Sequence, residues 1–555
     1  MKRFLIVAFL CLSFFGLANA QLDKQSVKQV QLVANGGYWK SSGTMSGSKD
    51  ALAAAAKFGC YASLCKVELS KDNLWVMSSG VPKQNLDEFL LMYRQLVSPD
   101  KKSSKNKYEL EGNLEKSKKN LTKLILDFNP SGTKESEKSL LPLLKKLMKE
   151  ESIRRLVEFG SSDIALCKAL VQEFPDIPVS YTKGDLSPRE LKKKGFVGYA
   201  VYDYRILKDH PQWLSESSES KITLCVSGMQ SAEEVREMLR VGVYRLLTDQ
   251  VAMTKVWVKN EVPVKLMSFN IRMSGMPDVD GDYAWEKRKE AVVKMINGEK
   301  PDVFGVQEMI PDQQEYLRKS LSAYDMVGVG REDGANEGEC MGIFFKKSMF
   351  TLLKSGTFWL SQTPEEPSLG WDAACRRTVT YVQLMHKASG KTFFYFNTHL
   401  DHVGLIARQE SVKLICEKIR ELVPDTNGVF ILGGDMNSPL SQSIFNPLIG
   451  ERIKSKSLSE VEKDGFKNQK SSREMMPMEV KGERTPSLMK SARNSAWERD
   501  NMPTYNGFGK DKASQIDHIF VSQRVENLVF RTVRDRYGVP YLSDHYPITL
   551  VFVLK

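Results

Sequence analysis

A small set of polar residues, each next to a short apolar run, is where this sequence is equipped for chemistry. Asn270 closes Leu266-Met267-Ser268-Phe269, Glu308 follows Gln307 after Val303-Phe304-Gly305-Val306, and His399 closes Phe396-Asn397-Thr398. Asp435 and Asn437 follow Val429-Phe430-Ile431-Leu432 and the Gly433-Gly434 pair. Asp517-His518 and Ser543-Asp544-His545-Tyr546-Pro547 come last. Imidazoles and carboxylates are the groups that move protons near neutral pH. Each residue alone has an ordinary reading: an Asp after a strand caps or turns, a His on a strand packs, and Asn437 before Ser438-Pro439 suits a turn. Carboxylates, amides and imidazoles at successive apolar strand ends are harder to explain as capping, and strand ends on one sheet edge are where α/β and α+β folds place functional groups. Of six histidines, only His210 precedes residue 260, so chemistry needing two imidazoles belongs to the second half.

The elements that must position these groups alternate between helical and strand signals along the whole chain, which predicts α/β or α+β architecture in both halves. In the first half, Asp50 to Phe58 reads as a helix ended by Gly59, and Leu121 to Phe128 as a strand stopped by Pro130 and Gly132. Glu233 to Leu239 reads as a helix and Gly242 to Leu247 as a strand. Strand followed by helix, repeated, is the pattern of a (β/α) barrel. A new strand begins near Val264, which places a domain boundary at about 258–263 and gives domains of 21–260 and 261–555. Residues 451–500 are polar, with little periodicity, and read as a surface insertion in the second domain.

The 555 residues and 62.9 kDa exceed one ordinary core. With 41% hydrophobic and 27% charged residues, a disordered or collagen-like chain is excluded. Lys2 and Arg3, the apolar stretch Phe4 to Leu17 and Ala18-Asn19-Ala20 read as a signal peptide over 1–20, cleaved before Gln21. No later apolar run reaches transmembrane length. The expectation is therefore an exported protein, periplasmic or extracellular, without a transmembrane anchor. Losing Lys2 and Arg3 lowers the formal net charge from +12 to about +10, a diffuse excess unlike the concentrated patch of a nucleic-acid binder. The insertion has twelve Lys/Arg against nine Asp/Glu, too balanced for a polynucleotide groove. Seven cysteines remain after the leader, scattered and odd in number, and read as buried thiols rather than a disulfide framework.

Taken in order, Ser-Phe-Asn at 268–270, Gln-Glu at 307–308, Asn-Thr-His-Leu at 397–400, Gly-Asp-Met-Asn at 434–437 and Ser-Asp-His-Tyr-Pro at 543–547 resemble the endonuclease/exonuclease/phosphatase superfamily. The resemblance implies a four-layer, deoxyribonuclease-I-like α/β sandwich that hydrolyses phosphoesters with Mg²⁺ or Mn²⁺. It implies Glu308 as principal metal ligand, with Asn270 and Asp544 beside the ion, and His545 as general base oriented by Asp517. Asp435 would position the attacking water, and Asn437 and His399 would donate hydrogen bonds to phosphate oxygens. Glu339 and Arg377 are candidates to line the substrate site. The His form of the station at 397–400 is similar to sphingomyelinase-like, deadenylase-like and inositol-phosphatase-like branches rather than to abasic-site endonucleases.

The first half is similar to glycerophosphodiester phosphodiesterases, which are TIM barrels, through Gly37-Tyr38-Trp39-Lys40, Gly59 to Asp72, Leu126 to Pro130 and Leu247-Thr248-Asp249. The family's His-Arg-Gly is here Asn35-Gly36-Gly37, its Glu-x-Asp metal pair is Leu64-Cys65-Lys66, and its His-Asp is Ser78-Ser79. Its Glu-x-Lys is Asp127-Phe128-Asn129. A lysine stands where a metal-binding carboxylate belongs and both imidazoles are gone, so this barrel is expected to be inactive. The leading expectation is an exported, metal-dependent phosphodiesterase acting through its second domain on a lipid head group, glycerophosphodiester or sugar phosphate. The alternatives are a phosphomonoesterase or secreted nuclease with the same site, and a non-catalytic binding or scaffold protein.

Overall fold

The computed structural model describes residues 30–39, 46–70, 74–78, 84–97, 121–129, 134–423, 428–450 and 487–554. The expected leader at 1–20, Ser79, and the 451–486 part of the expected insertion lie outside them. The chain divides into two compact units, Met1–Glu261 and Val262–Lys555.

The first unit is a closed barrel. Strands β1 (Gln31–Asn35), β2 (Ala62–Leu69), β4 (Lys123–Asn129), β5 (Val157–Ser161), β6 (Val179–Tyr181), β7 (Tyr199–Asp203), β8 (Thr223–Ser227) and β9 (Arg245–Thr248) are all parallel. β1 pairs with both β9 and β2, which closes the ring, and β3 (Trp75–Met77) adds an antiparallel hairpin partner outside it. The helix Lys49–Phe58 starts at Ser48, whose hydroxyl accepts from the Ala51 amide at 3.2 Å, and ends where Gly59 takes φ 82°. Near the strand N-termini the buried Glu158 accepts from the Tyr61 hydroxyl at 2.5 Å and pairs with buried Arg245. At the opposite end Lys66 stands in register with Asp127, and Thr182 Oγ1 donates to Asp127 Oδ1 at 2.9 Å. Burial raises the Asp127 pKa, opposed by the Thr182 hydrogen bond and the Lys66 charge. Lys66, itself exposed, is a cation whose charge acts on that carboxylate.

The second unit stacks two sheets between helices. One sheet runs β12 (Tyr324–Val327), β13 (Cys340–Lys346), β11 (Val303–Met309), β10 (Val262–Asn270), β22 (Ile548–Leu554), β21 (Glu526–Thr532), β19 (Glu498–Arg499). The other runs β14 (Phe350–Trp359), β15 (Thr378–His386), β16 (Thr392–His399), β17 (Val429–Asp435), β20 (Asp517–Ser522), β18 (Met489–Ser491). Leu266, Val303 and Ile343 meet Leu384, Tyr395 and Ile431 between the sheets. The helix Trp285–Glu299 covers the outer face of the first sheet through Val292, Met295 and Ile296, and Leu405–Leu422 covers that of the second through Val412, Ile415 and Ile419. This is the expected four-layer sandwich.

A layer of polar side chains joins the sheets beneath the site. Gln307 Nε2 donates to Ser268 Oγ at 3.1 Å and Asn397 Oδ1 at 2.6 Å, and Asn397 Nδ2 donates to the carbonyls of Val306 and Gly342. Gly305 leaves room for this layer: a Cβ there would lie 2.3 Å from Tyr395 Oη and 2.7 Å from the Asn397 amide.

One sequence expectation is corrected. Residues 487–500 are not a surface insertion, because β18 and β19 extend the two sheets and Met489, Ala492 and Ala496 are buried. Short edge strands carry too little apolar periodicity to show in sequence. His386, at the end of β15, is only 8% exposed: its ring packs edge-on to Phe350, its Nδ1 lies 2.9 Å from Ser389 Oγ, and burial lowers its pKa.

Candidate active site

Strand direction gathers the polar residues. β10 and β11 are parallel and end at Asn270 and near Glu308, while β16 and β17 are parallel and end together, with His399 in register with Asp435. Asp517 does not close a strand as the apolar pattern suggested; it opens β20. β20 runs antiparallel to β17, so Asp517 lies opposite Asp435. β22 is antiparallel to β10, and the Ser543–Pro547 segment leading into it arrives at the same edge.

Backbone conformation then turns side chains inward. Register slips between Val306 and Met309 on β11, and Glu308 within that bulge has φ 60°. Arg272 and Asn437 also lie in the left-handed region, at φ 58° and 46°. Such conformations cost non-glycine residues of order 1–3 kcal/mol each and gather at functional sites. At Glu308 the reward is visible: Asn270 Nδ2 donates to Glu308 Oε1 at 2.9 Å and Asp435 Oδ2 at 3.1 Å, and the Met273 amide donates to Glu308 Oε2 at 3.2 Å. Asn270 Oδ1 accepts from the Arg272 amide at 3.0 Å, so Asn270 faces the carboxylates as a donor.

Across the cleft, His545 Nδ1 lies 2.9 Å from Asp517 Oδ2, and Nε2 lies 3.5 Å from Asp435 Oδ2. His545 is buried, which by itself would depress its pKa; the charges of Asp517, Asp435 and Asp544 outweigh that and hold it well above the ordinary value. The dyad is secured by Thr504, which is fully buried. Its hydroxyl accepts from the amides of Ile516 and Asp517, and its carbonyl from Tyr546. Asn437 Nδ2 lies 3.0 Å from His399 Nε2 and donates to the Leu400 carbonyl at 2.9 Å, while the Asn437 amide donates to Asp435 Oδ1.

Glu339 and Arg377 sit behind His399 rather than among the carboxylates. Glu339 Oε2 is 2.8 Å from Arg331 Nη1, 3.7 Å from His399 Nδ1 and 3.8 Å from Arg377 Nη1. Burial would raise its pKa, but His399, Arg331 and Arg377 pull it down to about 2. Arg377 also reaches Asp401 Oδ2 at 3.5 Å and His402 Nδ1 at 3.1 Å.

Sequence reasoning missed Arg272, Arg288 and Thr504. Arg272 lies 4.0 Å from both Glu308 and Asp544, two residues beyond Asn270, and nothing in its local sequence sets it apart. Arg288 is buried, its pKa pushed by desolvation down to about 10, and it donates to the carbonyls of Ile271 and Leu542, clamping the segments that carry Arg272 and Asp544.

The donor set fits a hard divalent cation. Asn270 bridges the buried Glu308 and Asp435 carboxylates, Arg272 lies 4.0 Å from both Glu308 and Asp544, and burial and the nearby Glu308 charge raise the Asp544 pKa while His545 and Arg272 oppose them. Such an excess of oxygen-borne negative charge suits a hard divalent cation. Asp435, Asp517 and His545 also place ligand-type atoms within 4.8 Å of one another, though His545 Nδ1 is already engaged by Asp517. Among the described residues, clusters of three potential metal ligands occur only in the second unit.

The Endonuclease/Exonuclease/phosphatase family model matches residues 267–545, just over half of the chain. The chain belongs to this family. The family's members are hydrolases of phosphoesters, so the second unit is a phosphoester hydrolase of that superfamily. A crystal structure of an endonuclease/exonuclease/phosphatase from Bacteroides vulgatus is 28% identical, covering 53% of this chain and 100% of that one, with TM-score 0.44. A mannosyl-6-phosphatase of Bacteroides thetaiotaomicron is 29% identical over 52% of this chain and 99% of its own, with TM-score 0.42. A glycerophosphodiester phosphodiesterase of Parabacteroides distasonis is 24% identical, covering 41% of this chain and 97% of that one, with TM-score 0.35.

Proposed function

We propose that this family member is an exported, divalent-metal-dependent phosphodiesterase whose activity resides in the second unit. The reading rests on the Asp517–His545 pair at 2.9 Å, with the free imidazole edge turned to Asp435 and the carboxylates of Glu308 and Asp544 close by. Glu308 and Asp544 would hold Mg²⁺ or Mn²⁺, which when bound neutralises phosphoryl charge and supports the leaving oxygen.

The protein's own groups account for the rest. In the neutral imidazole, with Nδ1–H donated to Asp517, Nε2 is the basic nitrogen. It removes a proton from a water aligned by Asp435; the water oxygen bonds to phosphorus, the bond to the leaving oxygen breaks, and that oxygen takes a proton from solvent. Asp517 orients the imidazole and stabilises its charged form. Arg272, Asn437 and His399 meet the phosphate oxygens. Asn270 fixes Glu308 and Asp435, and Glu339 with Arg377 holds the His399 ring. The barrel, with Lys66 against Asp127, is read as a glycerophosphodiesterase-like domain without activity of its own.

The test is hydrolysis of bis(p-nitrophenyl) phosphate against p-nitrophenyl phosphate, with Mg²⁺, Mn²⁺ or chelator. Metal-dependent diester cleavage, reduced about 10²-fold or more by Glu308→Ala and by His545→Ala, is the expected result. Preference for the monoester would replace the diesterase by a phosphomonoesterase. Near-full activity in both variants would refute the assignment.

A further inference from the structure

Apart from Leu352 and Leu353 on β14, every exposed large apolar side chain among the described residues of the second unit lies on a segment at the catalytic edge. Four of them, Leu369, Val403, Leu405 and Ile406, are 50–63% exposed and belong to two neighbouring segments. Asp372 joins these segments: its carboxylate accepts from the Ala407 amide at 2.6 Å and the Ile406 amide at 3.3 Å. Gly404 permits the approach, since a Cβ there would lie 2.6 Å from the Asp372 carbonyl oxygen. Asp401 accepts from the amides of Val403 and Gly404 at 3.0 and 2.7 Å, and from Ala374 at 3.2 Å. Both local carboxylates are thus hydrogen-bonded to backbone N–H groups, and the Arg377 guanidinium is turned to His402 and Asp401. Val403 follows His399 by four residues, and Asn437 bonds both the His399 ring and the Leu400 carbonyl, so the segment that carries Val403, Leu405 and Ile406 starts from the site.

We infer that the shelf formed by Leu369, Val403, Leu405 and Ile406 seats the hydrocarbon part of an amphiphilic phosphoester. The inference rests on the phosphodiesterase reading and names its substrate class. Complementarity carries it: the anionic phosphoryl group faces Arg272, His399 and Asn437, and the uncharged chain faces the four exposed apolar side chains, whose neighbouring carboxylates Asp372 and Asp401 are engaged by backbone N–H groups. A polynucleotide or sugar phosphate would lay polar groups on these side chains and lose their hydration without replacement.

The test compares p-nitrophenyl octyl phosphate with p-nitrophenyl methyl phosphate, both monomeric, using the full chain with Mg²⁺. The wild-type chain should prefer the octyl ester in kcat/KM by about tenfold or more, as expected if a few methylenes leave water. Val403→Ser combined with Ile406→Ser should bring the ratio towards one. Both positions are exposed, so the fold is spared. Equal kcat/KM for the two esters in the wild type, or an unchanged ratio in the double variant, overturns the inference. Should neither ester be hydrolysed, the phosphodiesterase reading fails, and calorimetric binding of octyl phosphate against methyl phosphate decides the shelf by itself. Tighter octyl binding that the double variant loses supports it, and equal affinities overturn it.

Discussion

Asp517→Asn tests the site most directly, because it keeps the shape of the side chain and removes only its charge. Asp517 is buried; its carboxylate meets His545 Nδ1 at 2.9 Å, and its backbone amide is independently held by Thr504. The fold should therefore survive. An asparagine can turn its NH₂ towards Nδ1, forcing the proton onto Nε2 and leaving no basic nitrogen for water. Turned the other way, it accepts from Nδ1–H but cannot balance the imidazolium. Either arrangement forfeits general-base catalysis, a loss of about 10²–10⁴ in kcat, or about 3–5 kcal/mol. Metal affinity should change little, because the Asp517 side chain is engaged by His545 rather than by Glu308 or Asp544. The assay is kcat on the aryl diester at saturating metal for Asp517→Asn, His545→Ala and the double variant. Groups acting as a unit are non-additive, so the double variant should be no slower than His545→Ala. A double loss equal to the product of the two single losses would refute the dyad, as would Asp517→Asn retaining more than about a tenth of activity.

Two further outcomes follow from packing and burial. Gly305→Ala should lower stability by about 1–3 kcal/mol in urea unfolding of the second unit, because its Cβ would overlap Tyr395 Oη and the Asn397 amide in the layer beneath the site; an unchanged midpoint would show that this layer yields freely. His518, whose Nε2 donates to the Ser438 carbonyl, has its pKa lowered from 6.5 to about 4, chiefly by burial. The unfolded state therefore binds more protons between those values. Stability present above pH 6.5 is lost as pH falls towards about 4, by roughly 3 kcal/mol in all. Unfolding of His518→Gln, which does not titrate, should depend less on pH across this window, and equal slopes would exclude the mechanism.

The sequence by itself determined the architecture of both halves. Apolar strands alternating with amphipathic helices specify a closed parallel barrel and a layered sandwich, because burying one face of each element leaves few arrangements. It also displayed the polar residue types and their order, since Asn270, His399 and Asp435 stand directly at the ends of apolar runs. Tertiary structure decided how they meet. Asp517 opens its strand and His545 precedes its own, and only antiparallel pairing of β20 with β17 and of β22 with β10 carries them to the edge where the parallel strands end. The bulge on β11 that aims Glu308, the place of Arg272 between two carboxylates, and the withdrawal of Glu339 and Arg377 behind His399 have no local signature. Nor do the edge strands at 489–499, whose pairing is made by partners distant in the chain. A strand's own pattern states which face is apolar, whereas its neighbour, its direction and its register are settled only when the whole sheet packs.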